Sequence, residues 1–110
     1  MNKVIVTGTL HGQLVKNEIG DGKSKLLFTI ISRNDYPNRE GIYENTFINC
    51  VAWNETAGFI LRNFKSGDSI EATGSIINET WDKDGVKQYK DRVQIGEVNY
   101  TPSQFQKAKE

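Results

Sequence analysis

Short runs of β-forming residues make up most of this chain, and a single helical segment interrupts them. Turns containing glycine, asparagine or aspartate separate the runs, a spacing typical of small all-β domains. With 110 residues, the chain is long enough for one such domain and too short for two. The predicted strands are residues 3–10, 26–31, 45–53, 69–81 and 86–100.

The one helical segment follows the third predicted strand. Its apolar residues share a helical face at the spacing i, i+3, i+4 and i+7, and they are Ala57, Ile60, Leu61 and Phe64. Asn54 is a plausible N-cap for a helix over residues 55–64. Gly67 lies where a glycine that terminates a helix is expected. The apolar face predicts that this helix packs on the sheet.

Three strands, a helix and a two-stranded hairpin follow in the element order of the OB-fold. We therefore predict an all-β fold: a five-stranded OB-fold barrel with one short helix between strands 3 and 4. The barrel is expected over residues 1–100, with a tight hairpin turn at residues 82–85. Residues 101–110 are expected to form a short disordered tail.

Strand alternation predicts that several large aromatic side chains lie outside the core. The predicted core set is small and apolar: Ile48, Cys50, Ala52, Ile70, Ala72, Gly74 and Ile76. The opposite face of the third strand carries Phe47, Asn49, Val51 and Trp53. Trp81 ends the fourth strand on its polar side, and Tyr36 lies in the polar loop of residues 34–41.

Exposed aromatic residues near scattered cations favour binding of single-stranded DNA. Stacking tolerates any sequence because every base has a π-face, and each stacked base contributes ~1–3 kcal/mol. The candidate phosphate contacts are Arg33, Arg39, Lys83, Lys87 and Lys90. The balance of 14 cationic and 14 acidic residues argues against a duplex-DNA binder, which is usually strongly basic. The competing interpretation is that the aromatics are structural and the lysines form a solvated face.

Several segments resemble the bacterial single-stranded DNA-binding proteins, and the similarity extends from Asn2 to about Tyr100. The matching segments are residues 1–8, residues 47–53, Gly67, Gly74, and Trp81 with Asp84 and Gly85. The resemblance implies sequence-independent binding and protection of single-stranded DNA in replication, recombination or repair. The stacking residues that it implies are Tyr36, Phe47, Trp53 and Trp81. It also implies a homotetramer, with a dimer as the alternative, in which residues 2–6 take part in subunit pairing.

Three departures from that family modify the expectation. Residues 77–80 and Glu55 stand where relatives are often basic, so we expect weaker phosphate contacts and a lower salt dependence. The chain also ends without the family's long linker and acidic tip. This indicates a phage- or plasmid-encoded short form, or a shortened chain, and predicts that replication enzymes are not recruited through an acidic tail.

Nothing in the sequence predicts an enzyme, and no catalytic residue, metal site or cofactor is assigned. His11 is the single histidine and lies beside Gly12 in a predicted turn, while Cys50 is expected to fill the core. No apolar stretch is long enough for a signal peptide or a membrane span, which predicts a cytoplasmic protein without a membrane partner. Two alternatives stay open: an OB-fold replication accessory or protein-interaction module with weak nucleic-acid binding, and an RNA or cold-shock type binder.

Overall fold

The structure, a computed structural model, describes residues 1–99. Over this part of the chain six strands and one helix alternate along the sequence. They are β1 (Val4–His11), β2 (Lys16–Gly20), β3 (Lys23–Arg33), β4 (Asn45–Trp53), α1 (Asn54–Asn63), β5 (Ser69–Lys83) and β6 (Val86–Asn99). The predicted tail and Tyr100 lie outside the described residues.

Five of the strands close into a barrel. Their order around the ring is β1, β5, β6, β4 and β3, and β3 pairs with β1 again through Leu10 and Ile30. The pairing of β4 with β6 is parallel, whereas the other pairings are antiparallel. The helix connects β4 to β5, which are the third and fourth of the five ring strands in chain order. The predicted five-stranded OB-fold barrel is therefore confirmed.

The short strand β2 was not predicted. It pairs with β3 as a hairpin, and the turn contains Asp21 and Gly22, both with positive φ. All five residues of β2 are exposed, so neither face needs to be apolar. A strand without a buried face has no hydrophobic alternation, and this removes the signal on which the prediction depended.

Inward-facing residues of the barrel strands form one core with the helix. The buried strand residues include Val6, Leu10, Leu26, Phe28, Ile30, Cys50, Ala52, Ile70, Ala72, Val93 and Ile95. From α1, Ala57 and Ile60 are buried, as is Phe64 directly after it, and Leu61 packs against the same cluster. The predicted apolar face of the helix is therefore confirmed.

Two glycines permit close approach of neighbouring strands. A Cβ atom on Gly8 would lie 2.2 Å from the carbonyl oxygen of Ile31, where β1 passes from β5 to β3. A Cβ atom on Gly74 would lie 1.9 Å from the carbonyl oxygen of Gln94. Closure of the small ring therefore requires the absence of a side chain at both positions.

The predicted caps of the helix are wrong. Asn54 is its first helical residue, and its side-chain oxygen accepts a hydrogen bond from the backbone N–H of Ser24 at 3.0 Å instead of capping the helix. The helix ends at Asn63, before Gly67. Gly67 has a φ of 95° in a turn that the Asp68 N–H closes on the Lys65 carbonyl. Asn54 bonds to β3 through Ser24, and the Gly67 N–H donates to the Leu10 carbonyl of β1. Local sequence patterns do not reveal such contacts between distant segments.

Two assignments of strand faces are also wrong. Val51 was expected on the exposed face but is buried, since it lies in the ladder between Leu27 of β3 and Gln94 of β6. Ile76 was expected in the core but is half exposed, because β5 pairs with β1 only as far as Gly74. The pairing of β6 with β4 ends at Val93, opposite Ile76, and beyond that point β5 and β6 continue as a two-stranded arm.

The turn of the β5–β6 arm is tighter than predicted. Lys83 pairs with Val86, which leaves Asp84 and Gly85 as a two-residue turn with φ of 53° and 78°. Positive φ at both residues is characteristic of a type I′ turn, and Asp-Gly is a preferred pair there. The predicted hairpin is confirmed: β5 runs two residues further than predicted, to Lys83, and β6 begins at Val86 as predicted.

No helix in residues 1–99 is long and apolar enough to cross a membrane.

Candidate nucleic-acid interface

Phe47 and Trp53 lie on the outer face of the barrel. In the β3–β4 ladder Phe47 is opposite Ile31, and Trp53 is opposite Lys25. The two aromatics are six residues apart on one strand, so roughly 20 Å of sheet separates them. Phe47 is 57% exposed and Trp53 is half-buried. The face predicted from strand alternation therefore exists, although Val51 between the two aromatics is not part of its surface.

The Phe47 ring has an aromatic neighbour on β1, which is separated from β4 by β3 in the ring. The His11 ring packs against it edge to face, with centroids 5.6 Å apart and an interplanar angle of 87°. Such pairs favour one relative orientation and contribute about 0.5–1.5 kcal/mol beyond burial. His11, which carried no role in the sequence prediction, thus supports the orientation of an exposed aromatic.

Trp81 lies on the same outer side, on the β5–β6 arm. The ladder connects Val51 to Gln94, and Gln94 to Ser75. Since paired residues share a face and strand residues alternate, the side of Val51 continues through Ser75 to Trp81. Trp81 is opposite Gln88 and is 45% exposed. Three of the four predicted stacking residues therefore share one outer surface.

Tyr36, the fourth predicted stacking residue, is 83% exposed in the loop between β3 and β4. It borders a shallow groove with Arg33 and Thr46. This loop has an internal hydrogen-bond network centred on Asn38. The Asn38 side-chain oxygen accepts the N–H groups of Glu40 and Ile42, and its amide nitrogen donates to Glu44.

The predicted phosphate-contacting cations divide between two sides of the molecule. By strand alternation Lys83 and Lys90 share the side of Trp81. Lys87 lies on the opposite side of the arm, with its Nζ 5.8 Å from the centre of the Tyr89 ring. Arg33 stacks over Tyr43 at 4.2 Å, and Arg39 lies at the exposed tip of the β3–β4 loop.

A set of charged residues between the two tryptophans was not predicted. Lys25 Nζ lies 3.1 Å from Glu79 Oε2, and Arg92 Nε lies 2.6 Å from Glu79 Oε1. Lys25 Nζ is also 5.3 Å from the centre of the Trp53 ring. We call Lys25, Glu79 and Arg92 the Glu79 cluster. Its three members come from three strands, so only the strand register brings them together.

Two exposed tyrosines were also missed by the sequence analysis. Tyr43 lies in the same loop as Tyr36, and Tyr89 lies on the arm opposite Thr80. Proximity to Tyr36 was an available signal for Tyr43. Alternation along residues 86–99 was an available signal for Tyr89, which lies on the other side of the arm from Trp81.

Cys50 has no role at this surface. It is fully buried, and burial raises the pKa of its thiol to about 12. A backbone hydrogen bond with Ile30 and the charge of Arg92 lower the pKa, but by less than burial raises it. A thiol with so high a pKa is neutral near pH 7 and a poor nucleophile. Within residues 1–99 no three His, Cys, Asp or Glu side chains are grouped to hold a metal ion.

Comparison with known proteins identifies the family of this barrel. Residues 1–101 match the Single-strand binding protein family. The chain belongs to that family.

Curated members of the family support the assignment. The chain is 33% identical to a single-stranded DNA-binding protein of Caldanaerobacter subterraneus over 82 residues. This alignment covers 74% of this chain and 55% of that relative. It is 28% identical to the Aquifex aeolicus protein of the same name, over 84% of this chain and 65% of the relative. It is 26% identical to single-stranded DNA-binding protein A of Bacillus subtilis, over 96% and 59% respectively. The chain thus spans between 55% and 65% of the length of these family members.

Proposed function

We propose that this chain binds single-stranded DNA without sequence preference and protects it during replication, recombination or repair. The observation that carries the proposal is the outer surface shared by Phe47, Trp53 and Trp81 on a barrel of the single-strand binding family. Large exposed aromatics on a sheet are costly unless something covers them, and bases provide flat apolar faces of matching size.

The proposed DNA path runs from the β3–β4 loop across the barrel to the arm. Tyr36 and Phe47 would contact bases at one end, and Trp53 and Trp81 at the other. With ~1–3 kcal/mol for each stacked base, four contacts supply much of the affinity that a neutral protein lacks in phosphate contacts. The Asn38 network holds the Tyr36 loop in one conformation, which lowers the entropy lost on binding.

Phosphate contacts in this proposal come from cations near that path. Arg33 borders the same groove as Tyr36, and Arg39 lies in the Tyr36 loop. Lys83 and Lys90 share the side of Trp81 on the arm, so these four cations are the candidates to follow a backbone. Lys87 would join them only if the strand wraps around the arm, because it lies on the side of Tyr89.

We also propose that the functional form is a homotetramer built from dimers. The N-terminal part of β1 pairs with β5 on one side, and its pairing with β3 begins only at Thr9. Within the described residues 1–99, residues 4–8 therefore present an open strand edge, beside which Ile5 is 66% exposed. A second chain can pair with such an edge through main-chain hydrogen bonds.

The remaining functional predictions are proposals of the same kind. The chain would act as a binding protein without a catalytic step, and its place of action would be the cytoplasm.

The test is equilibrium binding of fluorescently labelled oligonucleotides, followed by anisotropy. Oligo-dT, oligo-rU and a duplex of equal length are compared at one salt concentration. The proposal predicts strong binding of oligo-dT and much weaker binding of the duplex. Equal affinity for oligo-dT and oligo-rU would favour an RNA binder. Absence of binding to all three would favour a protein-interaction module and overturn the proposal.

A further inference from the structure

The Glu79 cluster joins three strands on the outer surface. Glu79 of β5 uses one carboxylate oxygen for Lys25 of β3, at 3.1 Å, and the other for Arg92 of β6, at 2.6 Å. The Lys25 contact is a hydrogen bond, whereas Arg92 Nε and Glu79 Oε1 form an ion pair without a hydrogen bond between them. One carboxylate therefore neutralises two cations at once.

The cluster lies within the proposed DNA path. Lys25 is opposite Trp53 in the β3–β4 ladder, with its Nζ 5.3 Å from the ring centre. Glu79 is two residues before Trp81 on the same side of β5. A strand that stacks bases on both tryptophans would pass its backbone over Lys25 and Arg92.

The three side chains are partly shielded from water. Their exposed fractions are 21% for Lys25, 23% for Glu79 and 14% for Arg92. Salt and water screen ion pairs with this degree of burial less than they screen surface pairs. A phosphate can therefore bind Lys25 and Arg92 only by displacing the Glu79 carboxylate.

We propose that the Glu79 carboxylate occupies the position that a DNA phosphate would take between Lys25 and Arg92, and thereby limits affinity for single-stranded DNA. The inference rests on the proposed function. Carboxylate and phosphate oxygens use the same donors on a guanidinium and an ammonium group, so the two anions compete for one site. In the native chain Lys25 and Arg92 stay paired with Glu79, and the DNA contacts are those made elsewhere.

The salt dependence of binding reports this competition. For single strands the slope of log affinity against log salt is about −0.7 for each phosphate neutralised. Release of Lys25 and Arg92 from Glu79 would make the slope steeper by about 0.7 to 1.4, for one or two new contacts. Affinity at low salt would rise roughly three- to tenfold with it.

The test compares Glu79→Gln with the native chain in salt titrations of oligo-dT binding. Glutamine keeps the shape of the side chain and removes its charge. Glu97→Gln is the matched control, since Glu97 is an exposed carboxylate of β6 opposite Thr73, away from the tryptophans. We expect tighter binding and a steeper slope for Glu79→Gln only. If both variants change affinity equally, the effect is one of net charge and the inference is overturned.

A second variant, Lys25→Gln, is tested in the native chain, and this test does not depend on how Glu79→Gln folds. It is also tested in the Glu79→Gln background where thermal melting shows that Glu79→Gln is folded. Lys25→Gln in the native background should change affinity less than about twofold, because Lys25 is already paired. In the Glu79→Gln background the same substitution should remove most of the gain. A large loss in the native background would show that Lys25 already binds phosphate and would overturn the inference. If the native chain does not bind oligo-dT at all, the proposed function itself fails.

Discussion

Cys50 illustrates how the barrel interior controls the chemistry of a single residue. The side chain is fully buried on the inner face of β4, and burial raises the pKa of its thiol to about 12 from an ordinary value of 9.0. In the unfolded chain the thiol regains contact with water and ionises near that ordinary value. The folded chain therefore holds its proton over a pH range in which the unfolded chain has lost it.

This difference predicts a loss of stability in alkaline solution. Near pH 7, well below the ordinary pKa of 9.0, Cys50 is protonated in both states and has no effect on the pH dependence. As the pH rises above 9, the unfolded state binds fewer protons than the native state, so the free energy of unfolding falls by up to about 1.4 kcal/mol per pH unit. Urea denaturation between pH 8 and 10.5 measures this fall. Cys50→Ala should show a shallower fall, and parallel curves for the two proteins would contradict the account.

At this scale the sequence identifies side chains better than it identifies their neighbours. Phe47, Trp53 and Trp81 lie on one side as strand alternation predicts, with Phe47 and Trp81 exposed and Trp53 half-buried. The positions of Val51 and Asn54 were wrong because each depends on a contact with another strand, through the ladder or through Ser24. The Glu79 cluster was missed for the same reason, since its members are far apart in sequence.

Secondary-structure elements were predicted where one of their faces is buried. The alternation of residues 45–53 gives β4 with the observed ends, and the helical spacing gives α1 to within one residue. The exposed strand β2 has no such pattern, and the β5–β6 arm has no buried residue beyond Ile76, where the two strands leave the ring. Hydrophobic periodicity reports burial, so elements that bury nothing escape it.

Two glycines in regular elements predict opposite effects of alanine. A Cβ on Gly58 of α1 would meet only the end of the flexible Arg62 side chain, at 3.0 Å. Gly58→Ala should therefore stabilise the protein by roughly 0.5–1 kcal/mol through helix propensity. A Cβ on Gly74 would lie 1.9 Å from the carbonyl oxygen of Gln94. Gly74→Ala should push β5 away from β6 and destabilise by roughly 1–3 kcal/mol.

Urea midpoints of the native chain and the two variants check this pair. The two substitutions add the same methyl group, so each is the control for the other. Equal shifts in one direction would mean that the approach of β5 and β6 at Gly74 is not as close as described.

For the whole molecule, barrel closure leaves one edge of β1 unpaired among the residues that the structure describes. Residues 4–8 pair with β5 on one side only, and Ile5 is exposed beside the open edge. The element order was enough to predict the ring. How two copies pair could not be predicted, because the strand register between two chains cannot be read from one sequence.

The open edge predicts self-association that a charge on β1 disrupts. Ile5→Lys should lower the mass of the particle measured by light scattering, because a buried lysine opposes strand pairing between copies. Val15→Lys is the matched control, since Val15 is exposed in the connection between β1 and β2. A native chain with the mass of one chain, or equal dissociation by both variants, would contradict the proposed assembly.

The central claim is that bases stack on the outer aromatic surface. The chain has two tryptophans, Trp53 and Trp81, and both belong to that surface. In Trp53→Phe and Trp81→Phe the remaining tryptophan reports on its own position alone. The most direct measurement is a titration of each variant with oligo-dT, followed by tryptophan fluorescence. The account predicts strong quenching in both variants, and saturable binding that leaves both emissions unchanged would contradict it.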